Sequence, residues 1–252
     1  MGPLLLFDFD GVLVDGMPEY WWSAREAAQR LDPSLELPEH APADFARLRP
    51  SIHKGWEMVL VAAECGVRVS RGAADSLITA VDYAAALEPA LTRWGWTPAQ
   101  LQTVLEEVRG EAVQRERQTW LGRHRFYPGV VERLGRLAAE GADWGVLTTK
   151  GGAFAAEILA AAGLRPHCLY GHEQGSKPEV LLRLHQLGRP LWFIEDRRPT
   201  LMAVRGTAGL EAVRCFLVSW GYLAPGDAQG LGELGIGWLT PDRFAAPLAQ
   251  WP

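Results

Sequence analysis

The sequence predicts an α/β fold: a Rossmann-like parallel sheet flanked by helices, with an all-helical domain inserted into it. Three observations lead there. The run Leu4 to Phe7 is wholly apolar and ends in two acids, Asp8 and Asp10, as a strand buried on both faces does. From Pro128 onward helix and strand signals alternate, which implies right-handed crossovers within one parallel sheet. Between them, Gly16 to Tyr127 carries helical periodicity and no strand signal. The expected domains are therefore 1–15 joined to 128–252 as the α/β core, and 16–127 as a helical insert.

Each insert element has its own signal. Glu19 to Leu31 sets Tyr20, Ala24, Ala27, Ala28 and Leu31 on one helical face and stops at Asp32-Pro33. The proline-rich stretch Pro38 to Pro50 allows one short helix, Asp44 to Leu48. His53 to Cys65 turns Trp56, Val59, Leu60 and Ala63 inward, with Gly66 as the stop. A longer helix is expected from about Ala73 to Arg93, striped by Leu77, Ala80, Val81, Ala84, Leu87 and Leu91. Thr97-Pro98-Ala99-Gln100 is a capping box with proline at the first helical position, opening a helix to about Leu121.

In the core, a helix from Val130 to Glu140 ends at Gly141, and Asp143 to Leu147 is a strand. A helix from Gly152 to Ala162 ends at Gly163, and Cys168 to Gly171 reads as a short strand. Ser176-Lys177-Pro178-Glu179 is a second capping box, opening a helix to Leu187. A strand from Leu191 to Ile194, a helix from Pro199 to Thr207 and a strand from Cys215 to Ser219 complete the pattern.

Composition narrows the function classes. The 252 residues, 48% hydrophobic and 22% charged, are those of an ordinary globular protein of one or two domains. A net charge of −5 argues against nucleic acid and against an anionic membrane surface as partners. Cys65, Cys168 and Cys215 have no paired spacing, which disfavours a disulfide framework or a cysteine zinc site. No apolar run approaches the roughly 18 residues of a membrane span. The chain enters its first strand without a secretory leader, so a cytoplasmic protein is expected.

The chemistry concentrates at strand ends, where ligands bind in open α/β sheets. Asp8 and Asp10, two apart, point the same way, and like charges there are costly unless a cation joins them. Magnesium suits such an oxygen-rich site; an Asx turn is the plain alternative. Thr148 and Thr149 offer hydroxyls after the strand ending at Leu147. Lys177 sits at a helix start, a poor place for a cation unless an anion is near. Glu195 and Asp196 again end a strand in acids.

Together these stretches resemble the haloacid dehalogenase-like phosphohydrolase superfamily. Leu4 to Gly16 resembles its first motif, hhhhDxDGhLhDS, with Gly16 in place of the final serine. Phe126-Tyr127-Pro128-Gly129-Val130 is similar to the junction where a helical cap returns to the core. Leu147-Thr148-Thr149-Lys150 resembles the second motif, Lys177-Pro178 the third and Glu195-Asp196 the fourth. In the fourth, Thr200 and Leu201 stand where a later acid is usual. Val218 to Tyr222 is similar to a late strand and loop, V-(T/S)-W-G-Y.

The resemblance implies that Asp8 is a nucleophile, Asp10 an acid/base, and Thr148 and Lys177 phosphate ligands, with Thr149 able to replace Thr148. It implies Mg²⁺ held by Asp8, the backbone carbonyl of Asp10 and Asp196. Glu195 would ligate directly, ligate through water, or only accept backbone hydrogen bonds. The implied function is Mg²⁺-dependent hydrolysis of a small phosphorylated metabolite through an aspartyl-phosphate. A phosphomutase of the beta-phosphoglucomutase type, or a weakly catalytic regulatory or binding member, would carry the same motifs. A phosphonate-cleaving relative would need a Schiff-base lysine in the insert, where only Lys54 stands. Arg49, His53 and Lys54 are the expected substrate contacts of the insert, a solvated helix start being the alternative.

Overall fold

β1 (Leu4–Phe7) is the innermost element, with every residue buried, because strands pair with it on both sides and apolar layers cover both faces. The computed structural model describes residues 2–71 and 76–252. The chain divides into two compact units, Met1–Asp15 with Arg125–Pro252, and Gly16–His124. After β1 the backbone turns through Gly11, at φ 91°, into β2 (Val14–Asp15), the last residues before the helical unit.

That unit contains α1 (Met17–Leu31), α2 (Ala43–Leu48), α3 (Gly55–Arg71), α4 (Tyr83–Trp94), α5 (Pro98–Arg115) and α6 (Arg117–Leu121). α1, α3 and α5 pack on one another. α1 and α5 are also joined by a buried fork: Arg109 Nε and Nη2 donate to the Glu19 carboxylate at 2.7 and 2.8 Å. Three expectations need correction here. α3 runs past Gly66, because that glycine serves close packing: a Cβ there would stand 2.8 Å from Leu37 Cδ2. The helix expected from Ala73 begins only at Tyr83, where the Asp82 side chain caps it by accepting the Ala85 N–H; residues 72–75 lie outside the described residues. Ser76 and Leu77 instead donate to the buried Glu64 carboxylate, both at 2.9 Å. The last helix breaks at Glu116, whose backbone leaves the helical region at φ −136°, ψ 38°.

The chain re-enters the α/β unit at Arg125 and not at residue 128, because β3 (Arg125–Phe126) pairs antiparallel with β2. Then follow α7 (Val130–Arg136), β4 (Asp143–Leu147), α8 (Gly152–Ala161), β5 (Cys168–Tyr170), α9 (Lys177–His185), β6 (Leu191–Glu195), α10 (Arg198–Arg205), β7 (Arg214–Val218), β8 (Ile236–Leu239) and α11 (Pro241–Ala245). The helix expected over 130–140 finishes as a 3-10 turn, Leu137–Glu140. The six-stranded sheet has the order β5-β4-β1-β6-β7-β8, parallel throughout. On one face Leu4 and Leu6 pack with Val180, Leu181 and Leu184 of α9 and Leu201 and Val204 of α10. On the other, the Phe7 ring lies 6.2 Å from that of Phe244 in α11, itself near Trp220 and Trp251. Each such buried apolar side chain contributes about 1.5–3 kcal/mol. Among the described residues, no helix is long and apolar enough to cross a membrane.

Candidate active site

The sheet order reverses at β1: β4 and β5 lie to one side, β6 to β8 to the other. A parallel sheet opens a crevice at such a switch point, beyond the carboxyl ends of its strands. Phe7 pairs in register with Val146 of β4 and Ile194 of β6, so the three strands end within one residue of one another. At or just past those ends stand Asp8, Thr148 and the pair Glu195-Asp196, and all are buried.

Asp8, Glu195 and Asp196 each bring a carboxylate oxygen within 4.8 Å of the others. One ammonium joins Asp8 and Glu195. Lys177 Nζ lies 2.8 Å from Asp8 Oδ1 and 2.6 Å from Glu195 Oε2. The capping pattern places it: Ser176 N–H and hydroxyl donate to Glu179 at 2.8 and 2.7 Å, which starts α9 with Lys177 at its mouth.

The charges do not balance. Burial, reinforced by Glu195 and opposed by Lys177, pushes the Asp8 carboxyl up to about 7. Burial also works against the Glu195 carboxylate, but Lys177 and the Asp196 N–H outweigh it and hold Glu195 below its ordinary value. Lys177 is likewise penalised by burial, yet Asp8 and Glu195 together raise it. Lys177 and Glu195 are thus charged partners, and Asp8 is the carboxylate left in excess. A hard divalent cation fits that excess.

The oxygens indicate which acids have room for it. Glu195 already has partners on both oxygens: Oε2 faces Lys177, and Oε1 accepts the N–H groups of Asp196 at 3.0 Å and Arg197 at 3.2 Å. Asp196 commits Oδ2 to the Tyr222 N–H at 2.8 Å. Its closeness to two turns explains two glycines. A Cβ on Gly11 would fall 1.9 Å from Asp196 Oδ2, and one on Gly221 would fall 2.2 Å from Asp196 Cβ. The same late loop is tied to the first turn: Trp220 Nε1 donates to Val12 O at 3.0 Å and the Tyr222 hydroxyl to Asp15 Oδ1 at 2.7 Å.

Thr148 and Thr149 are told apart by burial: Thr148 is inside and Thr149 exposed. Thr148 N–H donates to Tyr170 O at 2.9 Å, and its hydroxyl oxygen accepts the Lys150 N–H at 3.0 Å. The Asp10 carboxylate stands outside the acid trio. Its Oδ2 lies 3.5 Å from Lys150 Nζ, and its buried Oδ1 has no hydrogen-bond partner among the described residues.

Lys150 is the residue that sequence reasoning passed over. A signal was there: the chain has 25 Lys and Arg residues but only three lysines, Lys54, Lys150 and Lys177. Two of the three are buried against Asp8 or Asp10.

The insert candidates separate from one another. Arg49 is buried in the helical unit, its guanidinium 4.7 Å from the Tyr20 ring centroid and donating to Ile52 O at 3.5 Å. Its contacts with Tyr20 and Ile52 hold it there. His53 and Lys54 are exposed at the start of α3, where their N–H groups donate to the Glu57 carboxylate. The exposure of Lys54 removes the Schiff-base reading, which needs a desolvated amine.

Comparison with family models matches residues 3–186 to the haloacid dehalogenase-like hydrolases. No curated protein matches the sequence. Solved structures share the fold at low identity. A protein described as a predicted phosphatase from Clostridium acetobutylicum aligns at TM-score 0.60 and 15% identity, over 95% of this chain and 94% of its own. One described as a predicted phosphoglycolate phosphatase from Haemophilus somnus aligns at 0.60 and 19%, over 96% and 94%. A candidate beta-phosphoglucomutase from Thermotoga maritima aligns at 0.54 and 18%, over 97% of each chain.

Proposed function

Because the chain belongs to the haloacid dehalogenase-like hydrolase family, we propose that it hydrolyses a small phosphorylated metabolite, with Mg²⁺, through an aspartyl-phosphate on Asp8. The observation that carries this reading is the excess buried carboxylate: Asp8 beside Asp196 with a single ammonium, Lys177, shared with Glu195. Asp8, Asp196 and the Asp10 carbonyl would hold a magnesium ion, which would supply the neutralisation that lets a carboxylate approach an anionic phosphate.

The side chains then divide the work. An Asp8 oxygen attacks phosphorus in line, forming a new O–P bond while the bond to the leaving oxygen breaks with its electron pair. Asp10 gives that oxygen its proton, then takes one from the water that displaces phosphate from Asp8. Lys177 and the Thr148 hydroxyl stabilise the phosphoryl oxygens. The helical unit is the part of the chain that would set specificity, and exposed His53 and Lys54 are its candidate substrate contacts.

The test is phosphate release from an aryl phosphate with and without Mg²⁺, in wild type and Asp8→Asn. Asparagine keeps the shape and removes the nucleophilic charge, so turnover should be lost. Retained activity in pure Asp8→Asn protein would remove the mechanism. A binding member without catalysis would bind phosphate yet release none from any substrate. The fold shared with the candidate mutase supports one rival, return of the phosphoryl group to a second hydroxyl. Incubation with a sugar monophosphate separates the two by free phosphate against isomerised sugar.

A further inference from the structure

We infer that Lys150 is a positioning residue for the proton-transferring carboxylate: it holds Asp10 Oδ2 and thereby presents Oδ1 to the leaving group. This rests on the phosphohydrolase reading above. The Lys150 side chain is 1% exposed, and its ammonium lies 3.5 Å from Asp10 Oδ2. Its backbone is fixed at both ends of the residue. The N–H donates to the Thr148 hydroxyl oxygen at 3.0 Å, and the carbonyl accepts the His172 N–H at 3.3 Å. Asp10 Oδ1 is buried and has no hydrogen-bond partner among the described residues. An acceptor left so is costly unless a donor arrives with a ligand.

The terminal torsion of an aspartate is soft, with a broad twofold profile. Unanchored, its two oxygens exchange places and drift in plane. A cation on one oxygen fixes that plane and leaves the other for the reaction. Lysine suits the task better than arginine, since a compact ammonium occupies one oxygen without the five donors of a guanidinium to satisfy. The chain uses lysine only three times, and this one lies against Asp10.

In the step concerned, the bond between phosphorus and the leaving oxygen breaks. Its electron pair stays on that oxygen, which takes the proton from Asp10 Oδ1 as Asp8 bonds to phosphorus. A poor leaving group needs that proton at the transition state, and a good one departs largely without it. Lys150→Met therefore has a distinctive effect on phenyl phosphate and p-nitrophenyl phosphate, two substrates of similar shape and unequal leaving groups. General acid catalysis contributes about 10²–10⁴-fold, so misplacing the acid should lower kcat/KM for phenyl phosphate by about 100-fold. The loss on p-nitrophenyl phosphate should be at least about tenfold smaller on the same reasoning. The ratio of the two rates is unaffected by an inactive fraction of protein. Lys150→Gln, read the same way, serves if the methionine variant does not fold. Equal losses on both substrates, or no loss on either, would overturn the inference, as would failure of both variants to fold, which would make Lys150 a structural residue. Wild type inactive on both phosphates would instead refute the phosphohydrolase reading.

Discussion

Replacing Glu195 by glutamine separates the two roles its position allows. The substitution keeps size and an acceptor oxygen but removes one buried charge within 4.8 Å of Asp8 and Asp196. Mg²⁺ requires Asp8 ionised, so the affinity of the metal-free protein should rise about tenfold per pH unit and level off near the Asp8 value of about 7. Glu195 is one of the groups that raise Asp8, so removing it moves that bend to lower pH. Two unit charges 4.8 Å apart interact by about 3.5 kcal/mol at an effective dielectric of about 20. That sets the scale of the shift at about 2.5 pH units. Lys177, released from Glu195, turns wholly to Asp8 and acts in the same direction. The expectation is a bend at least about one unit lower, with Mg²⁺ binding at pH 8 weakened by about 10–100-fold, as for a group outside the ligand shell. Titration calorimetry with Mg²⁺ across pH 5 to pH 9 reads both quantities. A bend that stays near 7 or rises would refute the electrostatic reasoning, and a loss far beyond about 100-fold would make Glu195 a direct ligand.

The ligand set makes its own demand: Asp196→Ala should raise the Mg²⁺ needed for half-maximal activity by more than about 100-fold. EDTA should abolish activity, and Ca²⁺ should restore it poorly, because its oxygens sit at about 2.3–2.6 Å in irregular geometry where Mg²⁺ holds about 2.0–2.1 Å. In the helical unit, Arg49→Ala removes the contact over Tyr20, worth about 0.5–2 kcal/mol, and should lower the melting temperature more than it changes kcat/KM. His53→Ala and Lys54→Ala should behave oppositely, leaving melting unchanged and lowering kcat/KM for the phosphorylated metabolite that a substrate screen selects, with little loss on an aryl phosphate. No loss on either substrate would return these two residues to an ordinary helix start, and equal losses on both would indicate damage to folding or to the core.

Elements with long-lived local signals were legible. The unbroken apolar run of β1 and the capping boxes of α5 and α9 each place the start of their element within a residue or two. What was missed depends on distant partners. β8 reads Ile236-Gly237-Trp238-Leu239, and its glycine looks like a break. The structure needs it, because a Cβ at Gly237 would stand 2.7 Å from the Phe216 ring on the neighbouring strand. Gly66 misled in the same way, being a point of close approach inside α3 and not its end. The β2–β3 ribbon has two residues on each side, too few for any periodicity.

The site was legible where chemistry and chain direction coincide. Acids closing the apolar strands β1 and β6 marked Asp8 and Asp196, and a cation opening a helix marked Lys177. How the charges share one another was not legible. Glu195 and Asp196 are adjacent in sequence, yet Glu195 turns both oxygens to Lys177 and backbone N–H groups while Asp196 remains with Asp8. That division depends on Lys177, eighteen residues away in sequence, and on a strand end that directs Glu195 inward. It also bears on the fourth motif, where Thr200 and Leu201 stand in place of a later acid. With Glu195 paired to Lys177, the proposed Mg²⁺ would meet the Asp8 and Asp196 carboxylates, and a further acid there would add a charge that this one cation does not match.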